Sequence, residues 1–215
     1  MVRVAVVEDQ PLYRDMIVTL LRAQEGVEVV LIADGASSAR AEFQPGTIDV
    51  AVLDVHLSDG NGLALGVSLC RKDPNLGVLL LSSHDVMELL LDLPEDVRAG
   101  WSYLSKNSTT SVDVLMRAIQ STARGITVID PALAEGAFPR AGSSLSVLSD
   151  RQYEVLRHVA AGLTNEGIGE KLGISSRSVE NHINAIYASL GLPRGRNQRV
   201  SAVLRFIEET SRHDF

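Results

Sequence analysis

The chain has 215 residues, 45% of them hydrophobic, 22% charged and 4% aromatic, a balance that excludes a disordered chain and gives room for two domains. Its net charge is −7, and its one cysteine, Cys70, excludes an internal disulfide and has no His or Cys spacing around it that would suggest a metal site. No apolar run reaches the roughly 18 residues that span a bilayer and no signal peptide is visible, so a cytoplasmic protein with no membrane partner is expected.

Short apolar runs at residues 2–7, 27–33, 49–53, 77–81 and 100–104 predict five strands. Their nearly continuous Val, Leu, Ile and Ala content is what strands buried on both faces of a parallel sheet require. Segments between them carry helical spacing, as in Leu12, Met16 and Leu20 or Val112, Leu115 and Ile119. The pattern is α/β, (βα)5, and right-handed crossovers make it a doubly wound sheet with its crevice at the carboxyl ends of the strands. Past residue 124, Gly125, Pro131, Gly136, Pro139, Gly142 and Ser143 break the pattern. They predict a linker over 125–147, with a short strand or helical turn at 127–134. From residue 148 every segment reads as helix, at 150–161, 164–172, 175–190 and 196–210, predicting an all-α four-helix domain over 148–215 after a first domain over 1–124. Charge divides the same way. Residues 1–130 hold 10 basic against 18 acidic side chains and residues 148–215 hold 9 against 8, so a polyanionic partner belongs at the C-terminal end.

Glu8 and Asp9 follow the first strand and Asp54 ends the third. In a doubly wound sheet these strands are neighbours, so the three carboxylates converge. At a separation of a few ångström two carboxylates repel by roughly 1–4 kcal/mol, and a cation is the natural way to keep all of them ionised. Mg2+ suits an all-oxygen donor set and keeps waters for a substrate phosphate. Ser82 closes the fourth strand and Lys106 follows the fifth, which puts a hydroxyl and an ammonium on the same rim. Together they form a phosphoryl-transfer site, with Asp54 as the attacking carboxylate and Lys106 and Ser82 as donors to the bound phosphoryl group.

Glu8-Asp9, Asp54, Gly62, Ser82 and Lys106, five positions agreeing in order on five segments, resemble the receiver domain of two-component response regulators. The resemblance implies a partner histidine kinase that phosphorylates Asp54, and the backbone carbonyl of His56 as a further Mg2+ contact. It also implies a switching role for Tyr103, whose alternative is an ordinary buried strand aromatic. The chain departs from the family at Ser58, where proline is usual and whose replacement should loosen the loop. It departs again at Pro94, which should shorten the expected fourth helix over residues 86–98 near Leu93 and alter the output face. His84 stands beside the pocket, as a tuner of phosphoryl lifetime or a loop residue.

In the second half, 163–172, the Gly173-Ile174 turn and a helix N-capped by Ser175 form a helix-turn-helix pattern. Val179, Ile183, Ile186 and Leu190 make its core stripe, leaving Arg177, Glu180, Asn181 and Asn184 as candidate base readers. Lys171, Arg177, Arg194, Arg196 and Arg199 are candidate contacts to the phosphates of double-stranded promoter DNA. Val200, Val203, Leu204 and Ile207 form either a homodimer face or packing within the domain. Leu148 to Leu156, Gly162 to Asn165, Ile174, Ser178-Val179, His182 and Leu190 to Leu192 resemble the LuxR-type DNA-binding domain of the NarL/FixJ branch of response regulators. That family reads sequence at the positions of Glu180, Asn181 and Asn184. Gly167 and Gly169 stand where it usually has Glu and Ala.

The expected function is a non-enzymatic transcription regulator switched by phosphorylation. An aspartate-nucleophile phosphatase of the haloacid dehalogenase type needs a second Asp two residues after the nucleophile, where this chain has His56. The alternative is a DNA-binding regulator whose degenerate receiver answers a ligand or partner.

Overall fold

The protein was analysed as a computed structural model, which describes residues 1–84, 90, 91, 93, 94, 97, 100–139, 142–193 and 197–210. It divides into two compact units, residues 1–126 and 127–215. Among the described residues no helix is long and apolar enough to cross a membrane.

In the first unit β1 (Val2–Val7), β2 (Val27–Ala33), β3 (Val50–Asp54), β6 (Gly77–Ser82) and β7 (Trp101–Ser105) form one parallel sheet in the order β2-β1-β3-β6-β7. Between β3 and β6 lie a two-residue hairpin, β4 (His56–Leu57) with β5 (Gly60–Asn61), and α3 (Gly62–Lys72). The other helices are α1 (Pro11–Arg22), α2 (Ala36–Glu42) and α4 (Val112–Thr122). The chain moves outward from β1 to β2, then crosses back over β1 to β3. The reversal places α1 opposite α2 and α3 and opens the crevice between the ends of β1 and β3. β3 and β6 are buried at every position, as the unbroken apolar runs require. Arg3 clamps the entrance to β3 through two side-chain bonds to Asp49, at 2.7 Å to Oδ1 and 3.2 Å to Oδ2, and a third from its backbone amide to Oδ2 at 2.7 Å.

Two glycines fix how α3 meets the sheet. A Cβ on Gly62 would stand 1.9 Å from the Asp54 carbonyl oxygen, and one on Gly66 would stand 2.6 Å from the Trp101 ring. Asn61 caps α3 by accepting from the Leu63 and Ala64 amides. Cys70 is buried, and burial pushes its thiol up to about 11, so it acts as a packing residue. The segment expected to form a helix shortened at Pro94 lies largely outside the described residues. Of its described members Leu90, Leu93 and Val97 are buried, and the Val97 amide donates to the Pro94 carbonyl at 3.1 Å.

The second unit contains α5 (Pro131–Gly136), α6 (Asp150–Ala160), α7 (Asn165–Leu172), α8 (Ser176–Ser189) and α9 (Gln198–Thr210). Residues 127–130 run against the end of α6: the Ile129 amide donates to the Ala160 carbonyl at 2.9 Å, and Val128 and Ile129 are buried. Asp130 then caps α5, and Tyr153 on α6 donates to the Ala137 carbonyl. Each helix of the bundle proper starts on a side-chain cap where its ordering is described: Ser149 with Gln152 in a capping box, Thr164, and Ser175. The core joins Val155, Leu156 and Val159 of α6 to Ile168, Val179, Ile183 and Ile186, and to Val200, Val203, Phe206 and Ile207 of α9. Val200, Val203 and Ile207 of the α9 stripe are taken up inside their own unit, as the internal-packing reading expects, and Leu204 is half-buried.

The two departures in α7 differ physically. A Cβ on Gly169 would stand 2.6 Å from the Ile174 carbonyl oxygen, so the tight turn needs the bare Cα, whereas at Gly167 the nearest atom is 3.6 Å away. Gly167→Ala should stabilise the full chain by about 0.5–1 kcal/mol. Gly169→Ala should destabilise it by about 1–3 kcal/mol through overpacking. Urea unfolding followed by circular dichroism checks the opposite signs.

Candidate functional site

The strand order brings Glu8 and Asp9, at the end of β1, beside Asp54, at the end of β3. Carboxylate oxygens of all three lie within 4.8 Å of one another. Asp54 is 3% exposed and Glu8 2%, while Asp9 is half-buried. Lys106, one residue beyond β7, is also buried and sends its Nζ between two of them, 2.7 Å from Glu8 Oε2 and 3.0 Å from Asp54 Oδ2. Its backbone is registered by the Lys106 amide donating to the Ser82 carbonyl at 2.8 Å. Asp54 Oδ1 accepts from the His56 amide at 3.3 Å, so the two oxygens of this carboxylate are held by different walls.

Lys106 is positioned by residues that no sequence pattern singled out. Its Nζ stands 4.6 Å above the centroid of the Tyr13 ring, a cation–π contact. Thr109 Oγ1 donates to the Lys106 carbonyl at 2.7 Å, so at 2.6 Å the Tyr13 hydroxyl must be the donor to Thr109. Burial pushes the Tyr13 pKa up to about 12, which keeps that donor neutral. Arg14 donates to the Glu8 carbonyl at 2.8 Å, and the Ser58 amide donates to Asp9 Oδ2 at 2.8 Å. These contacts depend on helix phase and backbone amides, which residue type at strand ends does not reveal.

Ser82 is fully buried and its Oγ accepts from the His84 amide at 3.1 Å. Tyr103 is fully buried too, its hydroxyl donating to the His84 carbonyl at 2.6 Å. One residue thus ties the hydroxyl expected to meet a phosphoryl group to the aromatic expected to switch. The His84 ring meets the His56 ring edge to face, 6.1 Å between centroids, at the pocket rim.

Three carboxylates facing one ammonium leave an excess of negative charge in a desolvated space. Burial alone would lower the Lys106 pKa, but its bonds to Glu8 and Asp54 outweigh this and hold the ammonium above its ordinary value. Burial pushes the Glu8 carboxyl up; the Lys106 bond pulls it back in part, and the Asp54 charge adds to the rise. An all-oxygen set with excess charge fits a hard divalent cation such as Mg2+ and offers nothing to a soft one.

In the second unit the α8 residues Arg177, Glu180, Asn181 and Asn184 are all exposed, on one face opposite the buried Val179, Ile183 and Ile186. Lys171 is exposed, with Nζ 4.0 Å from Glu135 Oε1. Arg199 is turned inward: it donates to the Leu163 carbonyl at 2.6 Å and to Asn165 Oδ1 at 3.5 Å, bracing the start of α7, and burial lowers its pKa. Arg194 and Arg196 lie outside the described residues.

The sequence pattern of the response regulator receiver domain matches residues 4–120, and that of the bacterial regulatory proteins of the luxR family matches residues 146–203. The chain is 31% identical over 208 residues to the DNA-binding transcriptional activator DevR/DosR of Mycobacterium tuberculosis, covering 94% of each chain. It is 29% identical to the nitrate/nitrite response regulator protein NarP of Escherichia coli, covering 96% of this chain and 95% of the other. Among solved structures, two RcsB dimers bound to two parallel DNAs match with a TM-score of 0.52 at 18% identity, covering 98% of this chain and 99% of that one, a likeness of fold.

The raised Glu8 pKa makes protons compete with a divalent cation. As pH falls toward the ordinary carboxyl value of 4.5, Glu8 takes up its proton earlier than an unperturbed carboxyl would, so Mg2+ affinity should weaken across that window. Glu8→Gln should bind Mg2+ more weakly and lose the pH slope contributed by this group. Isothermal titration calorimetry at several pH values checks both.

Proposed function

Because this chain belongs to the NarL/FixJ family of two-component response regulators, DNA-binding transcription regulators built of a receiver and a LuxR-type domain, we propose that it is switched by phosphoryl transfer from a partner histidine kinase to Asp54. The observation that carries this reading is the buried Asp54 carboxylate, held by Lys106 on one oxygen and grouped with Glu8 and Asp9. An Asp54 oxygen attacks phosphorus in line, forming the acyl phosphate as the bond from phosphorus to the kinase histidine breaks. Receiver domains bind Mg2+ in their acidic pocket, and here Glu8, Asp9, Asp54 and the His56 carbonyl would hold it; when bound it neutralises charge on the transferring group. Lys106 donates to a phosphoryl oxygen after releasing Asp54, and Ser82 supplies a second donor by giving up its place beside His84. The His84 link from Ser82 to Tyr103 supports Tyr103 as the residue that registers this movement.

In the second unit α8 enters the major groove, with Asn181 and Asn184 suited to adenine, Glu180 to the cytosine amino group and Arg177 to guanine or phosphate. Lys171, Arg194 and Arg196 serve the phosphates, while Arg199 acts from within by holding the loop before α7. A homodimer on promoter DNA is the expected active form.

Acetyl phosphate with Mg2+ should label the wild type and leave Asp54→Ala unlabelled; equal labelling of both refutes the assigned acceptor. Beryllofluoride should raise DNA affinity and shift the chain toward dimers in sedimentation. A wild type that answers neither favours a receiver governed by a ligand or partner. Asn181→Ala should weaken specific DNA binding by about 1–3 kcal/mol with unchanged melting, as read by fluorescence anisotropy.

A further inference from the structure

The loop after Asp54 is tied down at both ends of its tip. β4 and β5 pair His56 with Asn61 and Leu57 with Gly60, so Ser58 and Asp59 form the turn. On one side the Ser58 amide reaches into the pocket and donates to Asp9 Oδ2 at 2.8 Å. On the other, Asp59 Oδ1 accepts from the Ala36 amide at 2.7 Å and Oδ2 from the Ser37 amide at 2.8 Å, serving the free donors of the first turn of α2. These bonds hold the exposed Asp59 carboxyl below its ordinary pKa. Gly35 leaves the room for it, since a Cβ there would stand 2.6 Å from Asp59 Oδ1.

We propose that the main-chain N–H of Ser58 is a positioning group for Asp9, fixing one carboxylate oxygen so that the other is presented to the divalent cation, with Asp59 and α2 as its anchor. The inference rests on the reading of this pocket as the Mg2+ site. Asp9 is the half-buried member of the carboxylate cluster, at the mouth rather than the floor. Unheld, its side chain would have rotamers to lose when a cation binds. A charge-assisted bond from a fixed amide removes that loss, and the N–H dipole offsets part of the repulsion from Glu8 and Asp54. The donor exists because residue 58 is serine; proline, which the family usually carries there, has no N–H to give. The departure that reads as a loosened loop is thus compensated by a bond into the site.

The test is Mg2+ titration of the full chain by calorimetry, without phosphodonor. Ser58→Ala keeps the amide and should bind within about twofold of wild type, whereas Ser58→Pro deletes it and should bind about 5- to 20-fold more weakly. In hydrogen exchange the Ser58 amide should be protected in the wild type and lose protection in Asp9→Ala. Wild-type affinity in a natively melting Ser58→Pro overturns the proposal, as does a loss in Ser58→Ala equal to that in Ser58→Pro, which would assign the effect to the hydroxyl. Should Ser58→Pro not fold, Asp59→Ala, which frees the anchor, should weaken binding about two- to fivefold, and unchanged affinity there overturns it. A wild type that binds no Mg2+ defeats the pocket reading itself, a result separate from the others.

Discussion

Lys106 is the constraint on which the first unit turns. Its ammonium stands between the Glu8 and Asp54 carboxyl groups in a space almost closed to water, and it reaches both because β7 delivers it beyond Ser82. Such an arrangement is poor as a source of stability, because desolvating the charges offsets much of their attraction. It is good as a device, because Lys106 is shared between two carboxylates and could be drawn away by a better anion. A phosphoryl group placed on Asp54 would be such an anion. The Tyr13 ring backs the ammonium, and the Tyr13–Thr109 hydrogen bond holds that ring in place.

The rest of the sheet is arranged to make that convergence obligatory. Burial of β3 and β6 at every position fixes their depth, and the register Asp54 to Leu81 and Ser82 to Ser105 carries the strand ends to one level. Gly62 brings the start of α3 against the Asp54 carbonyl, where any side chain would collide with the Asp54 backbone. The loop from β3 to α3 is thereby short and closely held, and its amides from His56 and Ser58 turn toward the carboxylates. The negative cluster is met by dipoles on one side and by an ammonium on the other.

What the sequence disclosed follows from where its information lies. Unbroken apolar runs announce parallel strands, and side-chain chemistry at their ends announces Asp54, Glu8, Asp9, Ser82 and Lys106, since a period of two leaves few alternatives for which residue faces the crevice. Ser58 gave the opposite impression, because losing a proline suggests slack while the compensating donor is a backbone N–H that residue type does not advertise. Tyr13 was hidden because its role depends on the phase of α1 relative to a residue 93 positions later. The α9 stripe shows the limit of amphipathicity: it proves that a face is covered without saying by what, and here Val200, Val203 and Ile207 are covered by their own unit. Glycine and proline at 125–142 read as linker, with nothing in their composition to show that Val128 and Ile129 are buried against α6.

The second unit uses much of its positive charge to hold itself together. Arg151 bonds Glu154 and the Leu172 carbonyl at the end of α7, Arg157 the Glu135 carbonyl, Arg199 the Leu163 carbonyl, and Arg205 pairs with Glu208. Carbonyls at helix ends and loops are good partners for guanidinium groups, which present several donors in a fixed plane. The consequence is electrostatic. With 9 basic against 8 acidic residues over 148–215 and several of the arginines engaged internally, this part of the chain carries little net positive charge with which to draw a polyanion. The exposed side chains of α8, Arg177, Glu180, Asn181 and Asn184, are likewise of mixed charge, and the two amides among them attract only at hydrogen-bond range. For a unit so nearly balanced in charge, a second linked copy would raise attraction to a polyanion through effective concentration rather than through stronger contacts in either copy.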